Sequence, residues 1–122
     1  MTEVGIDIIE IARIGSALSR WDDKFRKMVF TASEIEFCEA RSNPVQHYAA
    51  RFAAKEAVAK ALKSSKTVFL KWTDVEIVSH ENGAPTIILH GEAESLFNDS
   101  KLSLSLSHSV NSAIAVAILS DK

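Results

Sequence analysis

The chain has 122 residues, of which 47% are hydrophobic and 25% charged, and its formal net charge is −2. This length suits a single hydrophobic core, so we expect one domain over residues 1–122, and the composition argues against disorder over most of the chain. No apolar stretch is long enough to span a bilayer, and the small negative charge gives no general attraction for nucleic acid. Neither a membrane nor a nucleic acid is therefore expected as a partner.

Two local features of the sequence bear on the cellular compartment. Cys38 is the only cysteine, which excludes an internal disulfide and any zinc site built from several thiolates. The chain enters a strand pattern at once and carries Glu3 where a secretory signal would carry basic residues. We therefore expect a cytoplasmic protein.

The N-terminal half of the sequence predicts one strand followed by helices. Apolar residues alternate over 4–9, and Asp7 then shares a face with Gly5, whose missing side chain leaves space above the sheet. Thr31 resembles an N-cap residue, and Pro44 is well placed to open a long helix. The helices are predicted over residues 11–21, 22–29, 34–40 and 45–62.

The C-terminal half predicts strands and one short helix. Asn82-Gly83, followed by Pro85, is a strong turn signal between two strand patterns and indicates a hairpin. Residues 102–108 give a strand with one apolar and one hydroxyl face, and 113–119 form an apolar run typical of a strand covered on both sides. The strands are predicted over residues 74–79, 86–90, 102–108 and 113–119, and the helix over 91–99. Together these periodicities predict an α+β fold.

The long helix carries charged residues among alanines. At about 100° per residue, Arg51 and Lys55 fall on one stripe, which can reach solvent, and Glu56 and Lys60 fall on another, among small residues. An i, i+4 pair between Glu56 and Lys60 is the ordinary explanation, and such pairs contribute only about 0.2–0.5 kcal/mol. Asp7 weakens that explanation, because a second acid on a nearby strand would crowd negative charge into the same core.

Asp7 and Glu56 together suggest a metal site. Buried carboxylates are costly unless a cation meets them. Mg²⁺ suits two carboxylates with open coordination positions, since it keeps waters and takes phosphate oxygens as its remaining ligands. With lysine and arginine nearby to offset phosphate charge, the pattern predicts a Mg²⁺ site that holds a diphosphate.

Four segments of the chain resemble one enzyme family, and they occur in the family's order over nearly the whole length. The segments are Gly5-Ile6-Asp7-Ile8 with Arg13, Arg51-Phe52-Ala53-Ala54-Lys55-Glu56-Ala57 with Lys60, Asn82-Gly83-Ala84-Pro85, and Ser105-Leu106-Ser107-His108-Ser109. The first two are the most specific. On these motifs the chain resembles the holo-[acyl-carrier-protein] synthases, the short bacterial type of 4′-phosphopantetheinyl transferase.

The resemblance implies both a fold and a reaction. The fold is a small, mostly antiparallel sheet packed around a long central helix. The reaction transfers 4′-phosphopantetheine from coenzyme A to a serine of an apo acyl carrier protein and releases adenosine 3′,5′-bisphosphate, in fatty acid biosynthesis. Mg²⁺ is the implied cofactor and coenzyme A the substrate.

The resemblance also implies roles for single residues. Asp7 and Glu56 would hold Mg²⁺ against the diphosphate, and Glu56 would help deprotonate the serine. Lys60 would stabilise charge on the bridging or leaving oxygen. The implied nucleotide contacts are Arg51, Asn82, Gly83, Pro85 and His108. Without the family pattern, His108 is more often a strand-end histidine that caps or packs.

The carrier protein is the implied partner of the first helix. Arg13 and Arg20 match residues that meet the carrier's acidic recognition helix, and their spacing of seven puts both on one face. Lys24, Arg26 and Lys27 extend this basic stripe. From the residues alone, a solvated charged face explains Arg13 and Arg20 equally well.

Members of this short type are homotrimers with active sites between subunits. The apolar run 113–119 and the serine face of 102–108 fit such an assembly, because one small sheet cannot obviously bury that run on two sides. A monomer is the alternative.

One departure and two competing functions stay open. Many relatives place a Gly-Thr-Gly turn after the central helix, whereas this chain has Lys63-Ser64-Ser65-Lys66-Thr67, so the backbone must close differently there. The competing functions are a non-catalytic binding module and a metal-dependent hydrolase that uses water as the nucleophile. Asp7, Glu56 and Lys60 together argue against the first, because a docking protein has no need of a charged cluster in its core.

Overall fold

Two antiparallel sheets and one long helix form the framework of the molecule. The structure is a computed structural model that describes residues 1–80 and 83–122. The helices are α1 (Ile11–Trp21), α2 (Asp23–Val29), α3 (Ala32–Glu39), α4 (Pro44–Ser65) and α5 (Gly91–Leu96), with a 3-10 turn at Trp72–Asp74. The strands are β1 (Thr2–Glu10), β2 (Val75–Ser79), β3 (Pro85–Leu89), β4 (Ser100–His108) and β5 (Ser112–Asp121). These elements confirm the predicted α+β fold and differ from the prediction mainly at element ends.

The larger sheet has the order β1-β5-β4, and the smaller one is the β2-β3 hairpin. Gly83 closes the hairpin with φ of 83°, a conformation that favours glycine, and its N–H donates to the His80 carbonyl at 2.8 Å. Asn82, which the sequence also assigned to this turn, lies outside the described residues. The predicted hairpin is thereby confirmed.

The helix α4 lies directly on β1. A Cβ on Gly5 would overlap the carbonyl oxygen of Ala57 and would come within 2.9 Å of the Ala61 nitrogen. The missing side chain of Gly5 thus leaves space above the sheet, as predicted, and the backbone of α4 occupies that space. This close approach brings the next residue on the same face of β1, Asp7, alongside the second half of α4.

Within residues 1–80 and 83–122, one face of β5 is well covered and the other is partly exposed. Ala113, Ala115, Ala117 and Leu119 are fully buried, whereas Ile118 is 40% exposed. The predicted cover on both sides is therefore wrong for the isolated chain. The uncovered side continues onto β1 through the register of the two strands. We call this surface the open sheet face, and it consists of Val4, Ile6, Ile8, Ile114, Val116 and Ile118.

The core extends from the alanines of α4 to an aromatic cluster around Tyr48. Tyr48 packs on Phe30, with ring centroids 4.8 Å apart, and both side chains are buried. Cys38 belongs to this cluster and is fully buried, and burial raises the pKa of its thiol to about 12. None of the described helices combines the length and hydropathy needed to cross a bilayer.

Candidate active site

The contact between Lys60 and Asp7 joins α4 to β1. Lys60 Nζ donates to Asp7 Oδ1 at 3.1 Å and to the Ile6 carbonyl at 2.8 Å. The Asp7 side chain is 15% exposed and that of Lys60 53%. The i, i+4 pair with Glu56, which was the ordinary explanation of this spacing, is absent from the ion pairs of the described residues, because Lys60 reaches the strand instead.

Glu56 lines an open cavity of about 200 Å³. Its side chain is half-buried and makes no hydrogen bond or ion pair within residues 1–80 and 83–122. Glu56 lies one helical turn before Lys60 on α4, and Asp7 and Lys60 are not among the described residues that line its cavity. The remaining lining residues are Lys55, Ala59, Lys63, Leu70, Lys71, Trp72 and Val75.

The predicted solvent stripe of α4 is in fact buried. Arg51 is 3% and Lys55 2% exposed, whereas Lys60 and Lys63 of the same helix are exposed. Helix α3 and strand β2 pack against this side of α4. A helical wheel contains no information on where such distant elements pack. The predicted exposure of Arg51 and Lys55 is therefore wrong.

Lys55 forms a buried ion pair with Glu34 of α3. Lys55 Nζ lies 2.8 Å from Glu34 Oε1, and both side chains are almost fully buried. Glu34 also accepts backbone N–H groups from Thr31 and Ile77, each at 2.8 Å. Burial lowers the pKa of Lys55, and the Glu34 carboxylate opposes that shift. Sequence reasoning missed this pair, although the N-cap pattern at Thr31 already placed Glu34 in a first helical turn.

Arg51 reaches the β2-β3 hairpin. Its Nη2 donates to Ser79 Oγ at 2.7 Å, and Ser79 lies opposite Pro85 in the strand register. The guanidinium carbons of Arg51 and Arg41 lie 4.0 and 3.8 Å from the Phe37 ring centroid. Burial lowers the pKa of Arg51, and its Nε is a buried nitrogen without a hydrogen-bond partner among the described residues. Two of the predicted nucleotide contacts, Arg51 and Pro85, are thus near neighbours.

His108 lies beside the start of α4. It is exposed at the end of β4, and its ring nitrogens lie 3.0 and 2.8 Å from Gln46 Nε2 in the first turns of α4. Burial lowers the pKa of the neighbouring His47, and the charges of Arg51 and His108 add to that shift. His108 and Arg51 therefore lie along the N-terminal half of α4, away from Lys60 in its C-terminal half.

Comparisons with known proteins agree with this architecture. A family model described as the 4′-phosphopantetheinyl transferase superfamily matches residues 3–117. The chain belongs to this superfamily. The holo-[acyl-carrier-protein] synthase of Geobacter sp. (strain M21) is 42% identical over 118 residues, which is 94% of each protein.

Two solved structures of superfamily members share the fold. The "Chronobacterium ammoniagenes ACPS-CoA complex" has a TM-score of 0.86 and 28% identity, covering 100% of this chain and 98% of that one. The holo-[acyl-carrier-protein] synthase of Helicobacter pylori in complex with coenzyme A has a TM-score of 0.81 and 38% identity, covering 96% and 99%. The predicted family and its fold, a small antiparallel sheet packed around a long helix, are confirmed.

The α1 surface of this superfamily member is basic and borders an apolar hollow. Arg13 and Arg20 are both exposed, and the Arg20 guanidinium lies 5.4 Å from the Trp21 ring centroid. Arg26 does not extend the stripe as predicted, because it is paired with Asp22 and Glu39. The hollow measures about 270 Å³, and its lining residues are Ala17, Trp21, Lys24, Phe25 and Met28.

The donor set at Asp7 and Glu56 fits Mg²⁺. No group of three or more His, Cys, Asp or Glu side chains is placed to hold a metal in the described parts of the chain. Mg²⁺ needs no such group, since it is usually bound by one or two carboxylates together with waters and substrate phosphates. The Glu56 carboxylate makes no hydrogen bond or ion pair with the described residues, and Asp7 contacts Lys60 through only one of its two oxygens. Carboxylate oxygens of both residues are therefore open to a metal ion.

Proposed function

We propose that this chain acts in the cytoplasm as a holo-[acyl-carrier-protein] synthase of fatty acid biosynthesis. It transfers 4′-phosphopantetheine from coenzyme A to a serine of an apo acyl carrier protein and yields adenosine 3′,5′-bisphosphate. The observation that carries this proposal is the contact of Asp7 with Lys60, one helical turn after Glu56, whose carboxylate has no hydrogen-bond or ion-pair partner among the described residues. It occurs in a chain 42% identical to a holo-[acyl-carrier-protein] synthase.

The chemistry requires two functions from residues on α4, removal of a proton and stabilisation of negative charge. The serine oxygen attacks the phosphorus next to pantetheine, and the bond from that phosphorus to the bridging oxygen breaks. Glu56 takes the serine proton, directly or through a water, since its carboxylate is free of other partners in the described structure. Lys60 stabilises the negative charge that develops on the bridging oxygen.

Asp7 and Glu56 are the residues that would hold Mg²⁺. When bound, Mg²⁺ supplies positive charge to the diphosphate. Lys60 holds Asp7 in place through the 3.1 Å contact, so the carboxylate is oriented before any ligand arrives. The close packing of Gly5 on Ala57 keeps strand and helix at a fixed separation.

The nucleotide side of the site would lie along the N-terminal half of α4. Arg51 is buried without a carboxylate partner in the described parts of the chain, and Arg41 lies against the same Phe37 ring, so an anion gains charge compensation there. We assign the 3′-phosphate of coenzyme A to Arg51 and His108. The hairpin turn with Asn82, Gly83 and Pro85 is assigned to the nucleotide next to it.

The carrier protein is assigned to α1. Arg13 and Arg20 are exposed on one face, and the apolar hollow beside Arg20 suits a hydrophobic side chain of the carrier. Arg13→Glu should mainly raise the KM for the carrier, and this effect should shrink as salt rises. An unchanged KM for the carrier would count against this role.

We also infer that the chain assembles as a homotrimer through the open sheet face. Val4, Ile6 and Ile8 are between 54% and 65% exposed on β1, a degree of exposure that apolar strand residues seldom keep in an isolated protein. Asp7 and Glu56 then need not come from the same subunit as the nucleotide contacts. Sedimentation of the wild type as a trimer and of Ile6→Asp as smaller species would agree with this assembly, whereas a wild-type monomer would overturn it.

Intact-mass analysis of an apo carrier incubated with coenzyme A and Mg²⁺ tests the activity. The proposal expects a phosphopantetheine adduct with the wild type and none with Glu56→Ala, which should stay folded. Cleavage of coenzyme A without an adduct would indicate the hydrolase, and carrier binding without either product would indicate a docking module.

A further inference from the structure

The cavity beside Glu56 carries two cations that the reaction above does not use. Lys63 is exposed in the last turn of α4, and Lys71 is exposed on the opposite wall. Neither ammonium group forms an ion pair with a described residue. Both charges are therefore available to a ligand in this cavity.

The two walls of the cavity are held in place by other contacts. Glu56, Ala59 and Lys63 lie three and seven positions apart, so they share one face of α4. The opposite wall contains Trp72 and Val75, whose carbonyl oxygens accept hydrogen bonds from Lys55 Nζ. The buried Lys55 thus ties the wall that carries Lys71 to the helix that carries Lys63.

The charge of the cavity favours an anion. Glu34 compensates Lys55, which spends its three N–H groups on that carboxylate and on the two carbonyls of the wall. The remaining charges of the cavity lining are then the two ammonium groups of Lys63 and Lys71 and the single carboxylate of Glu56. Ammonium groups bind phosphate oxygens as point charges, so two free lysines around one cavity suit a phosphorylated ligand.

The helix end explains why Lys63 faces the cavity. This chain has no glycine turn after the central helix, and α4 continues to Ser65, where the Lys66 N–H donates to the Leu62 carbonyl at 3.1 Å. The position of Lys63 is therefore helical and keeps the register of Glu56. A turn at that position would point the side chain elsewhere.

We propose that Lys63 and Lys71 are additional ligands for the bridging diphosphate of coenzyme A. The inference rests on the proposed function, because it takes the cavity of Glu56 as the diphosphate site. Each lysine binds non-bridging phosphate oxygens from one wall. Lys60, which is occupied by Asp7, remains the cation for the bridging oxygen.

Calorimetric titration with coenzyme A in the presence of EDTA tests this without any contribution from a metal. Lys63→Ala and Lys71→Ala should each weaken binding about fivefold to tenfold, and the double variant should weaken it further. Lys63→Arg should retain most of the affinity. Lys101→Ala, an exposed lysine of β4 outside the cavity lining, is the matched control and should bind like the wild type.

A second titration with dephospho-coenzyme A identifies the phosphate that is bound. If the lysines hold the diphosphate, the loss of affinity persists without the 3′-phosphate. A loss that disappears would assign them to the 3′-phosphate and overturn the inference, as would unchanged coenzyme A affinity together with a raised KM for the carrier. If the wild type binds coenzyme A but modifies no carrier, only the proposed transfer reaction is refuted. The titrations then still decide whether Lys63 and Lys71 bind the diphosphate. If the wild type binds no coenzyme A in EDTA, the titrations are repeated with Mg²⁺, and a wild type that binds none under either condition overturns both proposals.

Discussion

Lys60 Nζ lies 3.1 Å from Asp7 Oδ1, and this contact holds the acid of the first strand beside the central helix. Lys60→Ala should lower transfer about 10²–10³-fold, because one preorganised cation at the reacting phosphate is lost. The pair is half-exposed on the lysine side, so the free energy of unfolding should fall by no more than about 1 kcal/mol. Transfer rates from intact mass and urea unfolding measure the two effects, and full turnover would exclude the catalytic role.

Gly5→Ala should destabilise the protein, because the new Cβ would overlap the Ala57 carbonyl oxygen and force β1 away from α4. We expect a loss of about 1–3 kcal/mol or more in the free energy of unfolding. Gly15→Ala is the matched control, since its Cβ would meet only Val45 Cγ1, at 3.4 Å, within α1. That helical substitution should be neutral or stabilising by up to about 1 kcal/mol. Equal unfolding midpoints for the two variants would contradict the close packing.

Glu34→Gln should leave the buried Lys55 charge without compensation. Removing one partner of such a pair costs about 3–5 kcal/mol, and denaturant unfolding should show it. Glu36→Gln, on the exposed side of the same helix, should leave stability within about 0.5 kcal/mol. Replacing both partners by Leu and Met should recover much of the loss. A double variant less stable than Glu34→Gln would argue against this explanation.

The stability of the protein in acid should depend on Glu76. Hydrogen bonds from Ser33 and Thr31, with a further contribution from His90, lower the pKa of Glu76 to about 2. In the unfolded chain the carboxyl group binds a proton near its ordinary pKa of 4.5. The contribution of Glu76 to the free energy of unfolding is therefore complete above pH 4.5 and is lost as the pH falls toward 2. The full contribution of this shift to the free energy of unfolding is about 3 kcal/mol.

Unfolding curves between pH 6 and pH 2 measure this contribution. Glu76→Gln should flatten the acid limb of the stability profile, whereas the exposed Glu94→Gln should follow the wild type. Parallel acid limbs for wild type and Glu76→Gln would refute the assignment.

The sequence was sufficient to predict the strand, the helix and the acid that meets it. Alternation in β1 placed Asp7 on the face of Gly5, and Pro44 marked the start of α4. Local signals of this kind depend on only a few neighbouring residues, so the packing of distant elements does not change them. The direct contact of Asp7 with Lys60 was not predicted, because the sequence analysis joined Asp7 to Glu56 through a metal ion.

The buried cations of α4 could not be predicted in the same way. Alanines surround Arg51 and Lys55 on the helix, so the hydropathy of the two sides differs little and the wheel does not show which side is covered. Their burial depends on α3 and on residues 72–75, which come from distant parts of the sequence. The acid that compensates Lys55, Glu34, lies on one of these distant elements.

The reactivity of Cys38 reports transient opening of the aromatic cluster around Tyr48. Its thiol is fully buried and, with a pKa raised to about 12, holds almost no thiolate at neutral pH. A thiol-reactive dye can therefore modify the chain only while the aromatic cluster is transiently exposed to solvent. The labelling rate of the unmodified sequence thus measures how often that cluster opens, with no engineered probe.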